Sequence, residues 1–455
     1  GGRDKVTLVG TADVESLEAW PGLARWEAGG VTFVISNFEE LRAAGYGGRD
    51  RAVLWDDPER TDRLTATPSY TQLAGGRGWL HRVDGYAEVV VQGRGPSDVA
   101  NFYGDAGQAE TYVGTPTSGH LYSGELLPAS GGSGSTGYSV LVEGFRWYMA
   151  DLGGGGDVVE FWDRPEGKEY LVGMPGFCRF SSGVFYHSVR GFEEVRATSR
   201  GGGDGAYLYD DPQASDVAVS GPEESSLSTG GTTLRAIGFP RVELVSRGGG
   251  DQLRMEGQSG EQFTGTPQYA VFYRLGQFRK GWGFPQVEAV AGGALLGRVY
   301  DNPGGNDLVV AEVGQVRLES GLVALILRAF EQVNVYSRGG EDIARLYDSS
   351  GDDQFLGGPG WSRLWGPGYT HQVIGFRQVE AYGTGGGRDT AVLQGAPGVA
   401  DRLRAWDFAL RQWSDVLGYV IELREFERVD AFASDSGDVA EIEAGVDWLF
   451  THGWN

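Results

Sequence analysis

The feature that most constrains this chain of 455 residues is an internal repeat of about 47 residues. One anchor of the repeat is an aromatic residue followed by valine or a similar residue. Neighbouring anchors lie 45 to 50 residues apart, except for one step of 59, where a Gly/Ser-rich insertion at 129–138 is predicted to be a surface loop. The anchors are Phe38, Tyr86, Phe145, Phe192, Phe239, Phe284, Phe330, Phe376 and Phe426. Such a period indicates a repeat architecture rather than several unrelated domains.

Two further anchors keep phase with the aromatic one. A glycine-rich turn ends in Asp4, Asp50, Asp98, Asp157, Asp204, Asp251, Asp342, Asp389 or Asp438, with Leu295 at this position in the seventh unit. About 12 residues later comes a second acid: Glu15, Asp62, Glu110, Glu169, Asp216, Glu261, Asp307, Asp353, Asp401 or Asp447. The regular spacing predicts that each unit uses its acids in the same way.

Apolar residues alternate with polar ones after each turn aspartate, as in the pairs Ala52/Leu54, Ala100/Phe102 and Ala344/Leu346. A period of two residues is typical of a half-buried strand. Each unit is therefore predicted to hold about four short strands separated by turns. Helical periodicity is weak, and the best helix candidate is Ala440–Gly453.

These patterns predict an all-β fold, a β-solenoid of nine to ten units in which each unit forms two coils of about 23 residues. A β-propeller with one four-stranded blade per unit is the alternative. The solenoid is favoured because residues of one type recur at one phase and form ladders when coils stack. We expect one continuous domain over 1–455, with a C-terminal cap or assembly plug at 440–455. Units begin near residues 1, 47, 95, 154, 201, 248, 292, 339, 386 and 435.

Composition narrows the choice of partners. The formal net charge is −24, which disfavours binding to nucleic acids and to anionic membranes. Cys178 is the one cysteine, so no internal disulfide can form, and no apolar run is long enough for a membrane span. The first residues, Gly1–Asp4, fall inside a repeat unit, which predicts a processed N-terminus or an excised segment.

The motifs of the fifth and eighth units, Gly202–Asp210 and Gly339–Asp353, follow the pattern Gly-Gly-x-Asp-x-Ala-x-Leu-Tyr-Asp. With the preceding Phe-x-x-Val, this pattern resembles repeats of very large secreted or surface proteins of planctomycete-type bacteria. The resemblance covers nearly the whole chain and implies an extracellular, cell-surface location and an architectural role. Units one, six and nine depart from Leu-Tyr-Asp, carrying Leu-Val-Gly, Met-Glu-Gly and Leu-Gln-Gly. The Gly/Asp turns are also similar, more weakly, to calcium-binding RTX repeats.

The acids of the turns are candidates for calcium ligands, because Ca²⁺ is bound by several carboxylate and carbonyl oxygens. The candidates are Asp204, Asp210 and Asp216 in unit five and Asp342, Asp348 and Asp353 in unit eight. The alternative is an Asx-turn, in which the aspartate bonds its own backbone. Arginines that precede the glycine turn, such as Arg94, Arg200 and Arg338, are predicted to pair with these acids. No other cofactor is predicted.

An aromatic residue follows the large core residue in six units, and alternation points it away from the core. These residues are Trp55, Tyr103, Trp162, Tyr209, Tyr300 and Tyr347. An exposed row of rings is a candidate surface for glycans or for another subunit, and the alternative is lateral stacking within a sheet. At the C-terminus, Trp448, Phe450 and Trp454 are candidate assembly residues.

The sequence contains no His-Glu-x-x-His, Gly-x-Ser-x-Gly, P-loop or Cys-x-x-Cys motif, which are typical of zinc-dependent, nucleophilic, phosphate-binding and redox sites. The five histidines lack metal-ligand spacing. We therefore predict no catalytic residues and no enzyme. The leading hypothesis is an extracellular structural protein whose copies assemble head to tail into a filament, sheath or surface layer. The alternatives are a monomeric glycan-binding or adhesion module, and a β-helix enzyme acting on polysaccharides.

Overall fold

The computed structural model describes residues 2–95, 97–124 and 137–455. All regular secondary structure in these ranges is β-strand, and the architecture is the predicted β-solenoid rather than a propeller. Residues 129–136 of the predicted insertion loop lie outside the described residues. No described segment forms a helix with the length and apolarity needed to cross a bilayer.

The chain divides into two compact units, called unit 1 and unit 2, which are distinct from the repeat units of the sequence. Unit 1 comprises residues 1–211 and 223–243, and unit 2 comprises 212–222 and 244–455.

The strands as far as residue 245 are β1 (Lys5–Val9), β2 (Ser16–Trp20), β3 (Leu23–Ala28), β4 (Val31–Ser36), β5 (Glu40–Ala44), β6 (Arg51–Trp55), β7 (Arg63–Ala66), β8 (Tyr70–Ala74), β9 (Leu80–Asp84), β10 (Glu88–Gln92), β11 (Val99–Tyr103), β12 (Glu110–Thr115), β13 (Ser118–Ser123), β14 (Ser139–Glu143), β15 (Trp147–Asp151), β16 (Val158–Trp162), β17 (Tyr170–Met174), β18 (Phe177–Ser181), β19 (Tyr186–Arg190), β20 (Glu194–Thr198), β21 (Gly205–Tyr209), β22 (Val217–Ser220), β23 (Glu224–Thr229), β24 (Thr232–Ile237) and β25 (Arg241–Val245).

The later strands are β26 (Gln252–Glu256), β27 (Gln262–Gly265), β28 (Tyr269–Arg274), β29 (Gln277–Trp282), β30 (Gln286–Val290), β31 (Leu296–Tyr300), β32 (Leu308–Glu312), β33 (Gln315–Ser320), β34 (Val323–Arg328), β35 (Gln332–Tyr336), β36 (Ile343–Tyr347), β37 (Gln354–Gly358), β38 (Trp361–Gly366), β39 (Tyr369–Ile374), β40 (Gln378–Tyr382), β41 (Thr390–Gln394), β42 (Arg402–Trp406), β43 (Ala409–Ser414), β44 (Tyr419–Arg424), β45 (Arg428–Phe432), β46 (Val439–Ile442) and β47 (Leu449–His452).

Within each unit the strands form two sheets, called A and B. In unit 1, β5 lies in sheet A, β6 in sheet B, and β7–β9 form an antiparallel meander in sheet A. The next repeat reverses the sheets: β10 lies in B, β11 in A, and β12–β14 form the meander in B. Successive repeats therefore place their meander in alternate sheets.

The repeat holds five strands, where the sequence predicted about four. Coils are joined by parallel pairing, as between Lys5 and Glu40 and between Ser16 and Arg51. These partners lie 35 residues apart, so the predicted coil of 23 residues is wrong. The difference arises because three strands of each repeat fold back on one another within one sheet before the chain crosses to the other.

The predicted alternation accounts for the core. Ala52, Leu54, Ala100 and Phe102 are at most 1% exposed, and all nine aromatic anchors are buried. Each anchor follows a residue with a left-handed backbone, such as Gly191 (φ 73°) or Gly375 (φ 82°), which favours glycine. The last apolar pair departs from the pattern: Ile442 is 44% exposed, because β46 bonds only β42 among the described strands.

The predicted helix at Ala440–Gly453 is wrong. This segment contains β46 and β47, joined by a turn in which Gly445 has a φ of 96°. A left-handed residue ends any right-handed helix, and the flanking apolar residues pair instead with the edges of β42 and β45.

Buried histidines in the core give the protein an expected sensitivity to acid. His81 is fully buried beside Phe38 and Trp79, and burial lowers its pKa to about 4. Between about pH 6.5 and 4, His81 therefore carries a proton in the unfolded chain but not in the folded chain. The free energy of unfolding falls as the pH drops through this range. We expect the free energy of unfolding, measured in urea, to fall by on the order of 2 kcal/mol less in His81→Phe than in the wild type when the pH is lowered from 7.5 to 4.5. His452→Phe, at an exposed position on β47, is the control; equal losses in the wild type and His81→Phe would contradict the prediction.

Candidate functional site

Eight turn aspartates bind the backbone of the preceding coil. Their Oδ1 accepts a hydrogen bond of 2.7–2.8 Å from the N–H of the second acid, which lies 35–37 residues earlier in the chain or, across the insertion, 47 residues earlier. The acceptor–donor pairs are Asp50–Glu15, Asp98–Asp62, Asp157–Glu110, Asp204–Glu169, Asp251–Asp216, Asp342–Asp307, Asp389–Asp353 and Asp438–Asp401. The two acidic anchors of the sequence thus meet across neighbouring coils.

The second acid then satisfies its own turn. Glu110 Oε1 accepts from Asp105 N at 2.8 Å, and Asp307 Oδ2 accepts from Asn302 N at 3.1 Å. A buried N–H left without a partner costs about 1–3 kcal/mol. These carboxylates therefore stabilise the turns by accepting hydrogen bonds from turn N–H groups. The Asx-turn is predicted for the turn aspartates, whose Oδ1 atoms bond the preceding coil instead; the second acid bonds the backbone of its own turn.

In some coils a third carboxylate, at the end of the Leu-Tyr-Asp motif, joins the other two. Asp56 Oδ2 accepts from Gly95 N at 2.8 Å, and Asp163 Oδ1 accepts from Arg200 N at 2.8 Å. The resulting groups, called triads here, have carboxylate oxygens within 4.8 Å of one another, and every member is buried. Four triads lie entirely within unit 1 or entirely within unit 2: Asp56/Asp62/Asp98, Asp163/Glu169/Asp204, Asp301/Asp307/Asp342 and Asp348/Asp353/Asp389.

The predicted calcium ligands are grouped differently from the expectation. Asp204 and Asp210 flank β21, and Asp342 and Asp348 flank β36. The members of each pair are six positions apart along an extended strand, a distance of roughly 20 Å. Asp204 and Asp342 therefore join acids of the preceding coil, whereas Asp348 and Asp353 do come together. Asp210 is buried, and Asp216 donates its backbone N–H to Asp251.

Burial and mutual repulsion raise the pKa of the clustered acids. Burial, followed by the neighbouring acids, raises the pKa of Asp98, Asp301 and Asp389 to about 7. The same causes raise the pKa of Asp62 and Asp163 to about 6. A bound proton or a cation therefore stabilises each of these groups at neutral pH.

Coils that lack the third acid carry glycine in its place. A Cβ at Gly104 would overlap Glu110 Oε2, and a Cβ at Gly10 would lie 2.6 Å from Glu15 Oε2. The second acid of these coils therefore fills the space that the third acid fills in a triad. This accounts for the departure from Leu-Tyr-Asp in repeat units one and nine, where a Cβ at Gly395 would lie 3.0 Å from Asp401 Oδ2. In repeat unit six a Cβ at Gly257 would meet Phe272 and Leu295 instead.

Where Leu295 replaces the turn aspartate, the Glu261 N–H donates to the Gln258 carbonyl oxygen instead, and an arginine pairs with the Glu261 side chain. Glu261 forms an ion pair of 2.7 Å with Arg279, and both side chains are buried. Arg279 also donates to the carbonyl oxygens of Ser220 and Glu256. Nothing in the spacing of the sequence indicated this arginine, which comes from a meander strand rather than from a turn.

Arginines neutralise part of the charge in three triads. Arg94 lies 3.3 Å from Asp56, Arg338 lies 3.6 Å from Asp301, and Arg164 lies 3.3 Å from Glu169. Arg94 and Arg338 do pair with buried acids, but with the third carboxylates Asp56 and Asp301 rather than with the two acidic anchors. The side chain of Arg200 lies instead over the ring of Trp162, at 5.2 Å from its centroid.

The predicted row of exposed aromatics is divided between the sheets. In unit 1, Trp55 and Trp162 lie in sheet B and Tyr103 and Tyr209 in sheet A; in unit 2, Tyr300 lies in A and Tyr347 in B.

Several of these rings stack on one another. Trp55 packs against Trp20, Tyr300 against Tyr336 and Tyr347 against Tyr382, with ring planes within 14° of parallel. Tyr103 is 47% exposed. Lateral stacking occupies ring faces that a glycan would need.

The C-terminal aromatics fold back onto the last coils of unit 2. Trp448 is buried and its Nε1 donates to the Asp407 carbonyl oxygen, while Trp454 Nε1 donates to that of Ala431. Phe450 is 44% exposed beneath Arg428. These contacts favour the cap over the plug for the two tryptophans.

Comparison of the sequence with models of protein families gives no match, and comparison with curated proteins gives none either. The resemblance to repeats of bacterial surface proteins stays a prediction.

Proposed function

We propose that this protein is a structural repeat protein, not an enzyme, and that its copies assemble through open strand edges. The observation that carries the proposal is β4, whose sequence Val-Thr-Phe-Val-Ile-Ser contains neither a charge nor a proline. Val31, Phe33 and Val34 are 53%, 45% and 71% exposed. Natural edge strands are usually protected by charges, prolines or bulges, so an exposed, uncharged edge is a template for pairing.

The repeat itself indicates what pairs with β4. This strand bonds β3 on one edge and no other described strand on the second. Its counterpart in a later repeat, β14, bonds β13 on one edge and bonds β10 in parallel on the other. Strands of this chain thus satisfy the equivalent edge elsewhere, and a second copy offers the same chemistry.

The last repeat offers a second edge that is open in part. Among the described strands β46 bonds only β42, while Asn455 bonds the Ala440 N–H and the Asp438 carbonyl oxygen at the start of the other edge. Val439 and Ile442 of β46 are 53% and 44% exposed. Pairing of two different edges is heterologous and gives open-ended polymers. We therefore propose head-to-tail assembly into a filament, sheath or layer. An extracellular location is proposed with it, on the resemblance of the repeats to those of surface proteins.

Charged substitutions at the two edges test this proposal. Val34→Lys and Ile442→Lys are each expected to leave a folded chain that sediments as a single copy, because lysine must stay hydrated and cannot enter a strand–strand interface. Leu275→Lys, at a fully exposed turn position, is the matched control and is expected to assemble like the wild type. Sedimentation velocity measures all four proteins. A wild type that remains a single copy at high concentration would refute assembly. A species of two copies, lost in Val34→Lys alone, would replace head-to-tail contacts by a two-fold contact between β4 strands.

A further inference from the structure

One of the four triads differs from the others in its charge balance. The three triads described above each include an arginine within 3.6 Å of a carboxylate. In the triad Asp348/Asp353/Asp389, no described arginine or lysine forms an ion pair with any of the three acids. In other triads the acid equivalent to Asp348 accepts from the backbone N–H of an arginine. Asp348 accepts instead from the N–H groups of Thr384 and Gly385.

The same triad holds a buried carboxylate oxygen without a partner. Asp389 is fully buried, and its Oδ1 accepts from Asp353 N at 2.8 Å. Its Oδ2 accepts no hydrogen bond from the described part of the chain. The other three triads also hold such an oxygen, at Asp62 Oδ1, Glu169 Oε2 and Asp301 Oδ2. A buried, unpaired carboxylate oxygen is costly, and of the four triads this is the one in which no ion pair with a described arginine or lysine offsets the charge.

The other two acids are held rigidly. Asp348 accepts from Thr384 N at 3.1 Å and from Gly385 N at 2.9 Å. Asp353 accepts from Ser349 N at 2.8 Å and from the Tyr369 hydroxyl at 2.9 Å. Three carboxylates fixed by main-chain donors form a site whose oxygens need not reorganise to bind an ion.

A surface cavity of about 640 Å³ opens beside the triad. Its lining includes Thr384, Gly386, Glu425, Glu427 and Asp447. Glu427 also accepts a hydrogen bond of 2.6 Å from Asp389 N, which places the acidic wall of the cavity next to the triad. The cavity is lined by residues next to the triad and by none of its three acids.

We propose that Asp348, Asp353 and Asp389 form a binding site for a divalent cation of the calcium class, in which the ion supplies the charge that arginine supplies in the other triads. Ca²⁺ suits the site because it takes six to eight oxygen ligands in flexible geometry and accepts carboxylates together with water. The proposal is independent of the proposed assembly, because the site lies within one copy of the chain.

Three variants test the site. Asp389→Asn keeps the Oδ1 acceptor for Asp353 N and removes the charge, so the backbone contact survives. Thr384→Arg places a guanidinium where the other triads carry one. Asp342→Asn makes the first substitution in a triad that Arg338 already neutralises, and is the matched control. Circular dichroism confirms that each variant is folded.

Calcium binding is measured by calorimetric titration of CaCl₂ into chelator-treated protein. We expect one ion per wild-type chain, an affinity at least about tenfold lower in Asp389→Asn and Thr384→Arg, and an unchanged affinity in Asp342→Asn. Tb³⁺ luminescence excited through Tyr369 gives a local readout, expected to disappear in Tyr369→Phe while calcium binding persists. A wild type that binds no Ca²⁺ at millimolar concentration would overturn the proposal. Equal losses in Asp342→Asn and Asp389→Asn would also overturn it, because the arginine would then make no difference.

Discussion

Replacing Gly104 by alanine is expected to destabilise the protein by about 3 kcal/mol or more. The added Cβ would overlap Glu110 Oε2 and lie 2.5 Å from the Leu152 carbonyl oxygen. The buried glutamate cannot move away without losing the bonds by which it holds Asp105 N and the Tyr138 hydroxyl. Urea unfolding followed by circular dichroism measures the loss.

Gly107→Ala is the matched control for this prediction. It lies in the same turn, where a Cβ would meet only the end of the exposed Asp105 side chain at 3.4 Å. We expect it to change stability by less than about 0.5 kcal/mol. The double variant Gly104→Ala/Glu110→Asp shortens the acid and is expected to recover part of the loss. A Gly104→Ala protein as stable as the wild type would contradict the packing described for these coils.

Phe102→Ala is expected to cost about 3–5 kcal/mol, because it opens a cavity in the core of unit 1. Phe102 is 1% exposed and meets the edge of Tyr112 at 5.5 Å between ring centroids. Close-packed neighbours relax only partly around such a void. Thermal and urea unfolding measure the effect.

The adjacent residue provides the control. Tyr103 lies on the other face of β11 and is 47% exposed, so Tyr103→Ala is expected to cost less than about 1 kcal/mol. Similar losses from the two substitutions would mean that β11 does not present alternate faces to core and solvent.

Much of the fold follows from the sequence, because a period of two residues fixes which side of a strand is buried. Ala52, Leu54 and Phe102 occupy the predicted core positions. The meanders could not be predicted in the same way. A glycine turn that reverses the chain within a sheet and one that carries it to the other sheet have the same local signature. Gly176, where the chain reverses within sheet A, and Gly191, where it crosses to sheet B, both have left-handed backbones.

The acidic sites could be predicted only as residue types. The spacing of six residues between Asp204 and Asp210 suggested one group, but a strand lies between them. Which acids meet depends on the register between coils, and that register is set by residues 35 or more positions apart.

One signal for the grouping was present in the sequence. Three of the four coils with glycine after the strand carry glutamate as second acid, at Glu15, Glu110 and Glu261. At Glu15 and Glu110 the longer side chain reaches the place that a third aspartate fills elsewhere. The signal is partial, because Glu169 occurs together with a third aspartate, Asp163.

Hydrogen exchange of β4 as a function of protein concentration tests the proposed assembly most directly. The account predicts that peptides covering Val31–Ser36 exchange fast when the protein is dilute and become protected as it is concentrated, because a second copy then bonds their free edge. Peptides covering β14, which is paired on both edges within one chain, serve as the reference and are expected to exchange at one rate throughout. Fast exchange of β4 at every concentration, in a protein that stays a single copy, would contradict the account.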